Sequence, residues 1–209
     1  MDDLHKIRAN YDLGNLTKED LLKSPLDLFK KWLEDAVKVI NFDANAFVLS
    51  TVRDNVPDAR VMLIKGVEGE SLRFFTNYNS SKGKDIALNP VVSMVFFWKE
   101  LQRQVRIAGV IQKCSKSESD EYFYSRPRES QYGAMVSAQS TIIDGREGLD
   151  KTFTSYVKDN IEPKRPENWG GYDVKPSRIE FWQGGTNRLH DRFLYELKND
   201  VWSVNRLSP

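Results

Sequence analysis

The feature that most limits what this chain can fold into is the spacing of its apolar runs. They are short, rich in β-branched and aromatic residues, and closed off by turn residues: 46–53, 59–65, 72–77, 91–98, 104–113, 178–182, 192–197 and 201–206. Runs of this kind read as strands. Asp54-Asn55 with Pro57, then Gly66 and Gly69, separate the first three, and Lys198-Asn199-Asp200 joins the last two as a hairpin. The alternation of strand and long helix that builds a parallel sheet is absent. Seven or eight such strands with helices at the periphery predict a mainly β (α+β) fold organised as an antiparallel barrel.

Helical periodicity is confined to a few stretches. Ser24 caps and Pro25 opens a helix in which Leu26, Phe29, Trp32, Leu33, Ala36, Val39 and Ile40 recur at steps of three and four. Thr17 and Asp20 mark a shorter helix, and 80–89 reads as another, stopped by Pro90. Ser115 with Glu118 is a capping box for a helix that Pro127 ends, and 147–157 carries one more. No linker or repeat divides the chain. The expectation is an N-terminal arm or lid over residues 1–24 and a single domain over 25–209.

With 40% hydrophobic and 29% charged residues in 209, the chain buries a core without disulfide staples. Thirty-one Lys+Arg against 30 Asp+Glu leave a net charge of +1. No bulk attraction to nucleic acid or anionic membrane is expected, so anions must be held by local clusters. Cys114 is the single cysteine and suits a reducing compartment; with only His5 and His190, no metal site is expected. The polar N-terminus has no signal-peptide core, and 91–98 is too short to cross a bilayer. These features predict a cytoplasmic protein.

Four clusters carry candidate chemistry. If 187–192 is extended, Arg188, His190 and Arg192 share one face and Leu189 takes the other. Three adjacent basic groups call for an anion or carboxylate among them, and Gly184-Gly185 leaves room for a ligand. Tyr122 and Arg126 lie four apart on a predicted helix, with Ser130 just beyond the Pro127 turn; a phenol, a guanidinium fork and a hydroxyl suit a phosphate monoester. Arg60 and Lys65 bracket an apolar strand whose middle is expected to pack the core. Ser80-Ser81-Lys82-Gly83-Lys84 is a small, basic helix start fit for a phosphate. Gln102-Arg103-Gln104 and Gln139-Ser140 add amide donors and acceptors. Taken singly, each has a plainer reading: a basic edge strand, an arginine at a helix end, a charged surface.

Taken together, PDARVMLIKG (57–66), FFTNY (74–78), SKGKDIALNP (81–90), RQVRIAG (103–109), YFYSRPRESQYGAMVSAQS (122–140), NWGGYDV (168–174) and IEFWQGGTNRLHDRFLY (179–195) resemble the pyridoxamine 5′-phosphate oxidase family. The resemblance runs in order from about residue 8 to the end. It implies an FMN-binding split barrel that works as a homodimer with flavin sites at the subunit interface. It also implies oxidation of a small phosphorylated pyridine, pyridoxamine or pyridoxine 5′-phosphate, to pyridoxal 5′-phosphate. Hydride passes from C4′ to the flavin N5, and O2 is reduced to hydrogen peroxide.

Carried over position by position, the resemblance implies FMN contacts at Arg60, Val61, Met62, Leu63, Ile64, Lys65, Phe75, Thr76, Ser81, Lys82, Gln104, Gln139, Ser140, Trp182 and Arg192. Implied substrate contacts are Lys65, Tyr122, Arg126, Ser130, Arg188, Leu189 and His190, with Arg8 and Tyr11 of the arm covering the substrate. Arg188 and His190 fall at the reacting end, His190 as a group able to accept a proton. Two positions depart from the family pattern. Ser81 stands where an arginine is usual, leaving Lys82 or Lys84 to compensate at the FMN phosphate, and Ala108 stands where a glutamate is common. Two other classes stay open: a different split-barrel flavin oxidoreductase, and a non-catalytic module that holds FMN or pyridoxal phosphate.

Overall fold

In a computed structural model, which describes Asp3, Lys6 and residues 10–209, the capping signals act where the sequence places them. The Ser24 hydroxyl accepts the Asp27 N–H and Pro25 opens α1 (Pro25–Val39), which buries Leu28, Phe29, Trp32 and Ala36. Thr17 and Asp20 cap one 3₁₀ turn, Lys18–Asp20. The strands and helices that follow are β1 (Ala46–Arg53), β2 (Val56–Leu63), β3 (Gly66–Glu68), β4 (Ser71–Asn77), α2 (Ser81–Leu88), β5 (Val91–Trp98), β6 (Arg103–Lys113), α3 (Lys116–Ser125), α4 (Arg128–Val136), α5 (Glu147–Lys158), β7 (Trp169–Gln183), β8 (Asp191–Lys198) and β9 (Val201–Leu207).

Among the described residues nine strands form one antiparallel sheet of order β2-β1-β5-β6-β7-β4-β3, with β8 and β9 branching from β7. β7 is the spine. Along one edge it pairs with β6; its other edge takes β4 over residues 169–174 and β8 over 178–183, so the sheet forks there. The two ends of the path, β2 and β3, are consecutive in the chain, and the Lys65 N–H donates to the Arg73 carbonyl. The sheet therefore curls back on itself as a barrel split at β7, the mainly β fold with peripheral helices that the strand spacing predicts. Aromatic rings fill it: Phe29 meets Phe96 edge-on at 4.8 Å, and Phe96 stacks on Phe47 at 5.3 Å.

Three sequence expectations change. β2 starts at Val56 and contains Pro57, because Asp54 and Asn55 alone make the turn with φ of 52° and 63°. Pro57 is tolerated since β2 is an edge strand paired only with β1. The middle of that strand is not core: Val61 is exposed, Met62 and Leu63 are half-buried, and Ile64 is the buried member of the set. β7 runs fifteen residues, where the sequence suggests only 178–182. Gly170 and Gly171 within it serve close packing. A Cβ on Gly170 would lie 2.2 Å from the Tyr78 hydroxyl, and one on Gly171 2.6 Å from the Cys114 sulfur.

Candidate active site

The exposed edge of β2, the end of β4 and the α3–α4 corner enclose a cleft of about 720 Å³. Val61, Met62, Leu63, Lys65, Phe75, Thr76, Tyr122, Arg126, Ser130 and Gln139 all line it. One wall is aromatic: Phe75 and Tyr122 stack at 3.8 Å, with Trp169 nearly parallel to both. Arg126 lies over Trp169, 4.7 Å from the ring centroid, and its Nη2 donates to the Ser130 carbonyl at 2.7 Å. Its Nη1 is buried without a hydrogen-bond partner. Burial lowers the pKa of this guanidinium and raises that of the Tyr122 phenol. No carboxylate comes within 4 Å of Arg126 among the described residues, so the cleft holds a partly desolvated cation with a buried donor to spare.

A second hollow, about 350 Å³, adjoins the first through Val61, Met62 and Gln139, and adds Asp58, Arg60, Ser81, Lys82 and Ser140. Lys82 is buried near the start of α2, capped by Ser80, where Gly83 packs so closely that a Cβ would meet the Tyr78 carbonyl at 2.1 Å. The Lys82 ammonium reaches only neutral acceptors: Ser80 Oγ at 3.2 Å, Gln139 Oε1 at 3.3 Å and Thr76 Oγ1 at 3.4 Å. Burial, and then the charge of Arg60, lower its pKa. Arg60 is held differently, by Asp58, the Thr51 hydroxyl and the Leu49 carbonyl. Ser140 takes a left-handed backbone, φ 68°, at the rim. Lys84 is exposed and lines neither hollow. Ile64 is buried behind the cleft rather than in it.

The remaining candidates gather elsewhere. Gln104, Trp182 and Arg192 form one row across β6, β7 and β8. The Trp182 ring meets His190 at 4.7 Å, and Tyr11 stands edge-on to both at 5.6 Å. Gly184 makes room for that tyrosine: a Cβ there would lie 2.6 Å from its ring. The arm is pinned by Gln102, whose side-chain carbonyl accepts the N–H groups of Asp12 and Leu13 and whose amide donates to the Asn10 carbonyl. Arg8 lies outside the described residues. The 187–192 segment is not extended throughout. Thr186–Arg188 is a short 3₁₀ turn with Asn187 and Arg188 at φ 55° and 63°, and β8 starts only at Asp191. The chain doubles back so tightly that a Cβ on Gly185 would meet the Leu189 carbonyl at 2.4 Å. Arg188, His190 and Arg192 therefore do not follow strand alternation. Arg188 and Leu189 are exposed, and Leu189 and His190 border a hollow of about 460 Å³ with Arg206 and Pro209.

The two groups sit at opposite ends of β7. Trp169 lines the cleft, and Trp182 lies thirteen residues further along the strand, up to about 40 Å at roughly 3.3 Å per residue. None of Gln104, Trp182, Arg188, His190 or Arg192 lines the cleft of its own chain. Trp169 lines the cleft although the residue patterns do not single it out, and Glu180, equally unremarked, joins Arg106 and Arg192; both fall in the stretches that carry the resemblance.

Residues 33–156 match the family model for pyridoxamine 5′-phosphate oxidase, and 169–209 match the model for the pyridoxine 5′-phosphate oxidase C-terminal dimerisation region. A Polynucleobacter asymbioticus protein named pyridoxine/pyridoxamine 5′-phosphate oxidase is 44% identical, with all of both chains covered. A Nostoc sp. protein of the same name is 47% identical over 97% of each chain. Among solved structures, PhzG from Burkholderia lata, in complex with tetrahydrophenazine-1-carboxylic acid, is similar at a TM-score of 0.89 and 26% identity, covering 93% of this chain and 98% of that one. A Nostoc punctiforme FMN-binding protein shares the fold at a TM-score of 0.70 and 16% identity, covering 90% of this chain and 100% of that one.

Proposed function

The chain belongs to the pyridoxamine 5′-phosphate oxidase family, and from that premise we propose that it is an FMN-dependent oxidase converting pyridoxamine and pyridoxine 5′-phosphates to pyridoxal 5′-phosphate. One observation carries this reading. Two adjoining hollows each hold a cation that forms no ion pair within 4 Å among the described residues, the half-buried Arg126 in one and the buried Lys82 in the other. Two phosphorylated molecules lying side by side supply the two missing anions. The residues present fit the cofactor: Lys82, Arg60 and Ser140 surround a space for its phosphate, and the β2 edge offers 61–63 beside the ring.

The chemistry that FMN supplies when bound is acceptance of a hydride from the substrate's C4′ carbon and delivery of the electrons to O2 as hydrogen peroxide. The chain's own work is to bind and orient. Arg126, Tyr122, Ser130 and Lys65 hold the substrate phosphate, remote from the reacting carbon. The wall of Phe75, Tyr122 and Trp169 excludes water from that end. Arg188 and His190 act at the reacting end, with Tyr11 packed over His190.

The homodimer belongs to the same proposal. A ligand that touches Arg126 cannot also touch His190 of the same chain if most of β7 separates them. A second copy, joined through the 169–209 region, brings its Gln104, Trp182, Arg188, His190 and Arg192 to the first copy's cleft. The outer sheet face supports this, because it leaves Phe97, Val110 and Val61 exposed.

The test is an absorbance spectrum of FMN-loaded protein before and after pyridoxamine 5′-phosphate is added without oxygen. The reading expects the visible flavin band to bleach, then to return with peroxide when air is admitted. A flavin band that persists identifies a holder of FMN or an enzyme for another substrate.

A further inference from the structure

Glu180 is the most deeply buried carboxylate on the outer face of the sheet, its side chain 4% exposed, and it lies between two arginines. Arg192 donates to its Oε1 twice, from Nε at 3.0 Å and Nη2 at 2.8 Å; Arg106 donates to Oε2 from Nη1 at 3.2 Å. Arg106 is the direct cross-strand partner of Glu180, and its side chain is half exposed. Arg192 pairs with Trp182 and reaches Glu180 along the diagonal.

The donors on Arg192 can be counted. A guanidinium has five N–H bonds. Glu180 takes two, and the Ser208 carbonyl takes a third from Nη1 at 2.8 Å. Two remain, one on each terminal nitrogen. The guanidinium is thereby fixed in plane and rotation, with a pair of donors unspent in the row that also holds Gln104 and Trp182. One carboxylate between two guanidinium groups also leaves one surplus positive charge.

We propose that Glu180 is a positioning residue for the flavin: it fixes Arg192 against the cofactor and moderates the positive charge the cofactor meets there. This rests on the reading that Arg192 contacts FMN. Reduction adds negative charge to the flavin, so the field beside it sets how much more tightly the reduced form is held than the oxidised form. Removing the Glu180 charge while keeping an acceptor favours the reduced form. Removing the acceptor releases Arg192 and weakens both forms.

The experiment compares Glu180→Gln, Glu180→Ala and Arg192→Ala as purified dimers, measuring the FMN dissociation constant and the flavin midpoint potential below the unfolding range. In Glu180→Gln the amide carbonyl still accepts from Arg192, while the NH2 faces Arg106, which is free to swing into solvent. This variant is expected to bind FMN within a few-fold of the parent. Its relative affinity for reduced over oxidised FMN is expected to rise about tenfold, about 30 mV upward for a two-electron couple. Glu180→Ala is expected to bind FMN about tenfold more weakly, without that upward shift. If Glu180→Ala fails to fold, the Glu180→Gln potential decides alone. An unchanged potential in Glu180→Gln, while Arg192→Ala weakens FMN, overturns the proposal and leaves the Arg192 reading standing. Unchanged FMN binding in Arg192→Ala overturns both.

Discussion

Gly185 donates its backbone N–H to Nδ1 of His190 at 3.2 Å. In a neutral imidazole this bond places the proton on Nε2, so the nitrogen left for a ligand is a donor. On this geometry a neutral His190 is expected to donate from Nε2 and orient its ligand, where the sequence reading has it accept a proton. His190→Gln, which keeps an N–H near that position, is expected to retain more kcat than His190→Ala, which loses about tenfold for one hydrogen bond. Steady-state kinetics across pH check this. Equal losses in both variants, with one limb of the pH profile abolished, identify His190 as a base.

Lys82 is a buried ammonium hydrogen-bonded only to neutral oxygens, so its burial opposes apo folding, and the FMN phosphate proposed beside it is expected to offset that cost. Lys82→Met is expected to leave the apo Tm no lower than the parent's and to weaken FMN by at least about tenfold. The pH dependence follows from the lowered pKa. The burial penalty is fully present below the folded-state pKa and is relieved as pH rises through it toward the ordinary 10.5, so the two apo Tm values converge on the alkaline side. A large drop in apo Tm with FMN binding intact contradicts this account of the lysine.

Ser81 lines the same hollow as Lys82, and Lys84 does not reach it. Arg60 is already committed to Asp58, Thr51 and the Leu49 carbonyl. That leaves Lys82 as the cation in the hollow without an ion pair of its own within 4 Å. Ser81→Arg is expected to tighten FMN about tenfold, as one charge-assisted hydrogen bond less its ordering cost. Fluorescence titration with FMN measures it, and an unchanged or weaker dissociation constant excludes a missing cation.

Arg126 is expected to serve the substrate phosphate alone. Arg126→Ala should raise KM for pyridoxamine 5′-phosphate about 10–100-fold, with a smaller effect on kcat. It should also narrow the preference for the phosphorylated over the unphosphorylated amine. Arg188→Ala should lower kcat and keep that preference. Kinetics of both variants on both substrates, with FMN saturating, separate the two roles; an intact preference in Arg126→Ala removes the phosphate assignment.

Much of this was legible in the chain because it depends on local rules. Ser24-Pro25 and the Ser115–Glu118 box fix their helix starts through side-chain oxygens within three residues. Tyr122 and Arg126 share the cleft because both project from the end of α3 where Pro127 turns the chain. The rest depended on distant contacts. The start of β7 at Trp169 went unread because Gly170 and Gly171 carry no strand signal until Tyr78 and Cys114 are seen against them. The Asn187-Arg188 turn depends on the close packing of Gly185 against Leu189, which strand alternation does not anticipate. Nor does any local pattern reveal that Arg126 and His190 lie toward opposite ends of one long strand.

That separation makes the division of the active centre between two copies the claim most open to direct test. Arg126→Ala and Arg188→Ala subunits are unfolded together, refolded with FMN and assayed at a pyridoxamine 5′-phosphate concentration well below the parent KM, where the first is nearly inactive through its raised KM and the second through its lowered kcat. If each centre takes Arg126 from one copy and Arg188 from the other, every mixed dimer contains one centre with both arginines intact. Activity then returns to about a quarter of that of the parent enzyme, since random pairing makes half the dimers mixed. If each centre is built within one chain, the mixture stays as inactive as its two components, and the proposed arrangement is wrong.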